Sequence, residues 1–357
     1  MISNRIKLLR QANQLSLQQL ADNLSKDFQQ ITRATLSNYE TGKIIPNSTM
    51  LDSLAKELGV STKYFYQPEW DTFSLQLFTP LDLASLRIQE LYSYIQLELE
   101  RHLNLDRVLG IQQPCSIPCP NQTIEKSPTE VEALIETIRT NWELGNHPVS
   151  SVCNLLEYQG IYLFSLPTRF GIKMLSGYET SSLRPFIFYT PNAFIDDFRY
   201  DLLTEAGHFF IHTVIKGEEI HLQHFARTIL APRESIYRDF GRSRKNISFD
   251  ELSVAKEKYG ISRKNLLYRL NEIGVIDDEF FAEYHYQFLR QHGFFWRNSL
   301  MSNLTAFNEK PILYNMKYNR ALSEGLITYE NKPYLEANPQ YKMGEMKISQ
   351  AVACLRD

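Results

Sequence analysis

Between residues 3 and 66 apolar side chains recur three and four apart, and each run is broken by a capping or turn residue within a few turns. Only a bundle of short helices satisfies that pattern. Ser3 to Ala12 places Ile6 and Leu9 on one face. Ser16-Leu17-Gln18-Gln19 has the spacing of a capping box, in which the Ser hydroxyl accepts from the third helical amide and Gln19 reaches back. Leu17, Leu20, Ala21 and Leu24 then form an apolar stripe. Thr32 reads as the next N-cap, opening a helix with Leu36 and Tyr39 inward, and Gly42 suits the left-handed residue after its end. Pro46-Asn47-Ser48 starts a fourth helix with Met50, Leu51, Leu54, Ala55 and Leu58 inward, and Ser61 starts a short fifth.

The strings IKLLR at 6–10, LSLQQLA at 15–21, LSNYETGK at 36–43, Pro46 and LAKELGVS at 54–61 resemble the lambda-repressor-like (XRE) helix-turn-helix family. The connection between Ala21 and Tyr39 is several residues longer than the compact turn of that family. The resemblance implies a domain whose third helix enters the major groove of double-stranded DNA, with its N-terminal side chains at the base edges. Here those readers are Arg33, Thr35 and Asn38, just after the Thr32 cap. Arg pairs bidentately with guanine and Asn with adenine. By the same resemblance, Gln18 and Lys43 contact phosphates. The alternative reading is a helical module that binds protein.

Charge follows this division. Residues 1–66 hold eight Lys/Arg against five Asp/Glu, a surplus of three, whereas the rest of the chain stands at −6. A basic head on an acidic body suits a nucleic-acid module joined to something that does not bind nucleic acid. The chain shows no apolar run of membrane-spanning length and no signal-peptide pattern at its start, so a cytoplasmic protein with no membrane partner is expected. One head reads about half a site, and the family usually binds as two-fold dimers. Residues 81–106 read as a long helix with Leu91, Ile95, Leu99 and Leu103 four apart and Leu86 out of step. That stripe suits either pairing with a second copy, giving a homodimer, or packing on its own chain.

Residues 107–128 are rich in proline and include Cys115 and Cys119, which read as free thiols ahead of a metal pair. Beyond them, helices are expected at 129–144 and 148–159, strands at IYLFSL and RPFIFYT, and a helix from Phe194 through His212. The segments 137–164, 175–190, RYDLLTEAGHFFIH at 199–212 and FARTILAP at 225–232 resemble the ImmA/IrrE family of metallopeptidase-like domains. That family carries His-Glu-x-x-His on a helix, with two zinc ligands and a general base. The resemblance puts Glu205 at the base, His208 at the second ligand and His221 at the third, while Thr204 stands where the first ligand is lost. A hydroxyl is a poor zinc ligand, so efficient proteolysis is not expected. Four of the eight histidines, His208, His212, His221 and His224, crowd within residues 208–224, which suggests a shifted metal site that draws on His212 and His224, with hydrogen-bonded cleft histidines as the plainer reading.

Residues 249–276 read helix–turn–helix, either a second DNA reader or a partner-binding subdomain. A Tyr/Phe-rich helix follows, then a strand or hairpin at 322–342 and a short last helix. The expected fold is mainly α with a small β-sheet: a five-helix DNA-binding domain at 1–70, a linker with a long helix at 71–124, a zincin-like α+β domain at 125–245 and a helical region at 246–357. Three functions fit. The first is a transcriptional regulator whose degenerate peptidase-like body senses a small molecule, a metal or a protein partner; the second is a zinc metalloprotease that cleaves a repressor; the third is an antitoxin-like partner-binding autoregulator.

Overall fold

The computed structural model describes residues 2–27, 31–66, 74–78, 85–111, 117, 128–191, 194–211, 219–292 and 309–327. Its helices are α1 (Ile2–Ala12), α2 (Leu17–Asp27), α3 (Arg33–Glu40), α4 (Ser48–Leu58), α5 (Ser85–Val108), α6 (Pro128–Asn141), α7 (Val152–Tyr158), α8 (Ile195–Gly207), α9 (Glu219–Leu230), α10 (Arg233–Phe240), α11 (Phe249–Tyr259), α12 (Arg263–Glu272), α13 (Asp278–His292) and α14 (Leu313–Ser323). The strands are β1 (Leu75–Leu77), β2 (Tyr162–Ser165), β3 (Met174–Glu179) and β4 (Arg184–Tyr189). The chain is thus mainly helical with one small sheet, an α+β fold. Two compact units divide it: the first takes the described residues up to 66, those of 85–111 and those from 314, and the second takes 74–78 and 117–313.

In the first unit the caps set the helix starts. Ser16 Oγ accepts from Gln19 N at 3.1 Å, and Gln19 Oε1 accepts from Ser16 N at 2.8 Å, closing the expected capping box. Asn47 caps α4 through Met50 N at 2.9 Å, and Gly59 ends it at φ +70°. Ile6, Leu9, Leu20, Leu36, Leu54 and Phe65 are wholly buried between these helices.

α5 completes this core. Leu91, Ile95 and Leu99 are fully buried and Leu97 joins the core of α1–α4. Buried Glu100 accepts from Arg5 Nη1 at 3.3 Å and from the Tyr64 hydroxyl at 3.0 Å, with the Arg5 guanidinium 4.5 Å from the Tyr64 ring centroid. Most of the expected dimer seam is therefore occupied within the chain, which corrects its reading as a coiled-coil face; the Leu86 side chain lies outside the described residues. The segment expected as a linker with a long helix supplies α5 to the first unit and β1 to the second. The expected strand or hairpin at 322–342 is also corrected at its start. Leu322 and Ser323 close α14, whose Tyr318 and Ala321 pack on Leu105 while Lys317 Nζ pairs with Asp106 Oδ1 at 2.6 Å. Residues past 327 lie outside the described ones.

The second unit is built on a sheet of order β1-β3-β4-β2, with β1 and β4 antiparallel to β3 and β2 parallel to β4. β4 is buried along most of its length, as its unbroken apolar run requires. The three-residue β1 was not expected. It fits because Gly177 faces Leu77, where any Cβ would collide with the Gln76 carbonyl oxygen. α8 lies on β3 and β4, α9 lies on α8, and α6 and α12 flank α9. The helix expected through His212 stops at Gly207: His208 N turns back to Glu205 O at 3.2 Å in a tighter step. α11 and α12 are joined through Gly260 at φ +60°, and Ser262 caps α12. Among the described residues no helix is long and apolar enough to cross a membrane.

Candidate nucleic-acid interface

α3 spans only two turns, so its usefulness as a reading head depends on how its ends are held. At the N-terminal end Thr32 Oγ1 accepts from Thr35 N at 3.2 Å and lies 2.9 Å from the Thr35 hydroxyl. The long connection before it returns to α2: Ile31 N donates to Ser25 Oγ at 3.2 Å, Ser25 Oγ donates to Ala21 O at 2.8 Å, and Ile31 is buried. Residues 28–30 of that connection lie outside the described ones. At the C-terminal end Arg10 of α1 grips Glu40 through both Nε and Nη2, the latter at 2.9 Å from Oε2, and Nη1 donates to Leu15 O at 2.7 Å. One nearly buried guanidinium thus joins α1, the turn into α2 and the last residue of α3. Bidentate geometry of this kind fixes orientation as well as distance. Reading the sequence did not single out Arg10 or Glu40, although both lie in strings that carry the family resemblance.

The expected readers lie along this helix. Arg33 is exposed, Asn38 is half-buried, and Lys43 is exposed just past Gly42, whose φ of +72° redirects the chain. None of these three side chains has a hydrogen-bond or ionic partner among the described residues. Thr35 differs: its hydroxyl is engaged by exposed Thr32, which leaves its methyl group as the face for an apolar contact with thymine. Gln18 is exposed at the start of α2, but its Nε2 donates to Asp22 Oδ1 at 2.8 Å. That bond uses one of the two amide N–H donors and leaves the second for another acceptor.

The peptidase-like residues gather less well. Thr204 and Glu205 sit in the last turn of α8 and His208 at its C-cap, while half-buried His221 lies on α9. The Thr204 hydroxyl donates back to Tyr200 O at 2.9 Å. Glu205 Oε1 accepts from Ser176 Oγ at 2.7 Å, and burial pushes the Glu205 carboxyl above its ordinary pKa. The His208 ring stacks on Phe78, centroids 5.5 Å apart. Among the described residues no three His, Cys, Asp or Glu side chains stand close enough together to hold a metal ion. These residues do not fit zinc: one position offers a hydroxyl already donated to its own helix, and the neighbouring ring is stacked on an aromatic. His212, Cys115 and Cys119 lie outside the described residues.

His224 has another role than the shifted metal site suggested for it. Its Nε2 stands 2.6 Å from Glu132 Oε2 and its Nδ1 3.1 Å from Glu272 Oε2. These are charge contacts rather than aligned hydrogen bonds. Arg269, wholly buried, donates to both Glu132 oxygens at 2.8 and 3.1 Å, and Arg227 Nε donates to Glu272 Oε1 at 2.8 Å. Burial alone would lower the His224 pKa, but the two carboxylates outweigh it and the net shift is upward. Burial would likewise raise Glu132, yet His224 and Arg269 hold it well below the usual carboxylate range.

A helix-turn-helix family model matches residues 6–65. That stretch is a helix-turn-helix domain. The match supports a DNA-binding transcription regulator and covers none of the second unit. No curated protein and no solved structure matches the chain.

Two outcomes follow from these contacts. Arg10→Ala leaves Glu40 without its partner at the end of α3, and should lower the stability of the helix-turn-helix domain by about 1.5–3 kcal/mol. Thermal unfolding followed on α1–α5 by amide exchange reads this; an unchanged domain would contradict the clamp. For His224 the folded pKa lies above 6.5, so its ion pairs stabilise fully below that pH and the contribution fades as pH rises through the folded value. In urea unfolding of the native protein and His224→Gln, the stability gap should therefore shrink as pH rises above 6.5. A gap that holds constant or widens would contradict the charged imidazole.

Proposed function

We propose that this protein is a sequence-specific transcriptional regulator that lays α3 of its helix-turn-helix domain in the major groove of a double-stranded operator. Arg33 and Asn38 read base edges, Thr35 offers its methyl group, and Gln18, Thr32 and Lys43 hold the phosphates. The observation that carries this reading is the set of side chains on and just after α3: Arg33, Asn38 and Lys43 have no partner among the described residues, while Arg10 and Thr32 fix both ends of the helix that presents them. Groups without partners on a rigid element suit recognition, because no internal contact is lost on binding.

A single head of this size reads about half a site, so the operator is two-fold symmetric and the protein binds it as a homodimer. Since Leu91, Ile95 and Leu99 of α5 are buried in their own chain, the dimer contact uses another surface. The second unit is a body of the ImmA/IrrE metallopeptidase-like kind that has lost peptidase chemistry and serves sensing or partner binding. The engaged Thr204 hydroxyl and the stacked His208 favour this over an active protease.

Selection from randomised duplexes with the full-length protein tests the reading. A single enriched, two-fold-symmetric sequence is expected, bound with steep salt dependence because phosphate contacts release counterions. Asn38→Ala should cost about 1–3 kcal/mol at one base position per half-site, whereas Lys43→Ala should weaken all sequences alike and reduce the salt slope by about 1. Recovery of no preferred sequence would overturn it.

A further inference from the structure

In the second unit a cavity of about 310 Å³ opens between the start of α8, the middle of α9 and the first turn of α12. That is the size of a small-metabolite site. None of Thr204, Glu205, His208 or His221 lines it. Much of the charge on its wall is already paired. Lys173 Nζ stands 2.6 Å from Asp201 Oδ2, Lys256 Nζ stands 2.9 Å from Asp196 Oδ2, and Arg227 is held by Glu272. Asp197, the remaining carboxylate on the wall, is itself engaged within the chain.

Two further cations stand at the start of α12, where Asp196, already paired with Lys256, also acts on Arg263. Lys264 is exposed and has no partner among the described residues. The Arg263 guanidinium donates to a neutral oxygen, Ser253 Oγ at 3.1 Å, and lies 4.4 Å from the Phe249 ring centroid. Ser262 Oγ caps Asn265 N at 3.3 Å, so the backbone N–H groups of Arg263 and Lys264 remain as orphan donors at the positive end of the helix. Asn265 points to what they await. It is 8% exposed and lies on the cavity wall, and its side-chain amide has no hydrogen-bond partner among the described residues. An amide on the wall of an otherwise buried residue takes its partner from whatever occupies the cavity, solvent or ligand.

We propose that this cavity binds a small metabolite through an oxyanion, a phosphate or a carboxylate, seated on the Arg263 and Lys264 amides, the Lys264 ammonium and the Asn265 side-chain amide. Backbone donors at a helix N-terminus with a cation beside them favour an anion. Tyr200 and Tyr268 on the same wall supply apolar surface for the rest of the molecule. The proposal concerns the second unit alone and stands apart from DNA reading.

Isothermal titration of the full-length protein with inorganic phosphate, and separately with acetate, at matched ionic strength in chloride tests it. Saturable binding at one site per chain is expected; a tighter fit for phosphate assigns a phosphate-bearing metabolite, and a tighter fit for acetate a carboxylate. Lys264→Glu, at an exposed position that leaves the fold intact, and Asn265→Leu should each weaken binding about tenfold or more. Absence of saturable binding by either anion, or binding that survives Lys264→Glu, would overturn the proposal.

Discussion

The Arg10–Glu40 pair is the contact on which the DNA-reading surface depends. α3 is too short to hold its own direction, since a two-turn helix gains little from its own hydrogen bonds. Its orientation is borrowed from α1 through one guanidinium, and α1 is fixed in turn by Arg5 on the buried Glu100 of α5. The chain of support therefore runs from α5 through α1 to the end of α3. This is why a helix outside the matched residues 6–65 still matters to the interface. Burying Glu100 is unfavourable unless its oxygens are met, and here Arg5 and the Tyr64 hydroxyl meet Oε2 while Gln96 Nε2 meets Oε1.

The second unit solves a comparable problem with a larger ionic group. Glu132 on α6, His224 on α9 and both Arg269 and Glu272 on α12 bring three helices to one point. Each charge has an opposite neighbour, so the group holds helices together where a crowd of histidines in sequence suggested metal. A histidine between two carboxylates is a cation in an ion pair; a histidine awaiting a metal must be neutral and open. The geometry around His224 belongs to the first kind.

Much of the first unit was legible in the residues because its signals are local. The Ser16–Gln19 box, the Thr32 and Asn47 caps and the glycines at 42 and 59 act within a turn of where they stand. What escaped reading depends on partners distant in sequence. The α5 stripe has the same spacing whether it meets a second copy or its own α1. β1 is three residues long, shorter than any periodicity can announce, and its pairing rests on Gly177 about a hundred residues away. The end of α8 at Gly207 came from tertiary packing, since the apolar pattern continues past it. Of the candidate site, the proposed DNA-contacting residues follow from the family resemblance, whereas the Arg10–Glu40 contact at the end of the same helix crosses thirty residues. Asn265 gave no signal at all, because a lone polar residue in a helical pattern is ordinary until its surroundings are known.

The central claim is that α3 and the turn after it form the surface that meets DNA. Amide hydrogen exchange on the full-length protein, with and without the selected operator duplex, tests it most directly. The account predicts slowed exchange across residues 32–43 on adding the duplex, together with the start of α2 around Gln18. Slowing confined to α11 and α12, with residues 32–43 unchanged, would contradict it and move the DNA contact to the second unit.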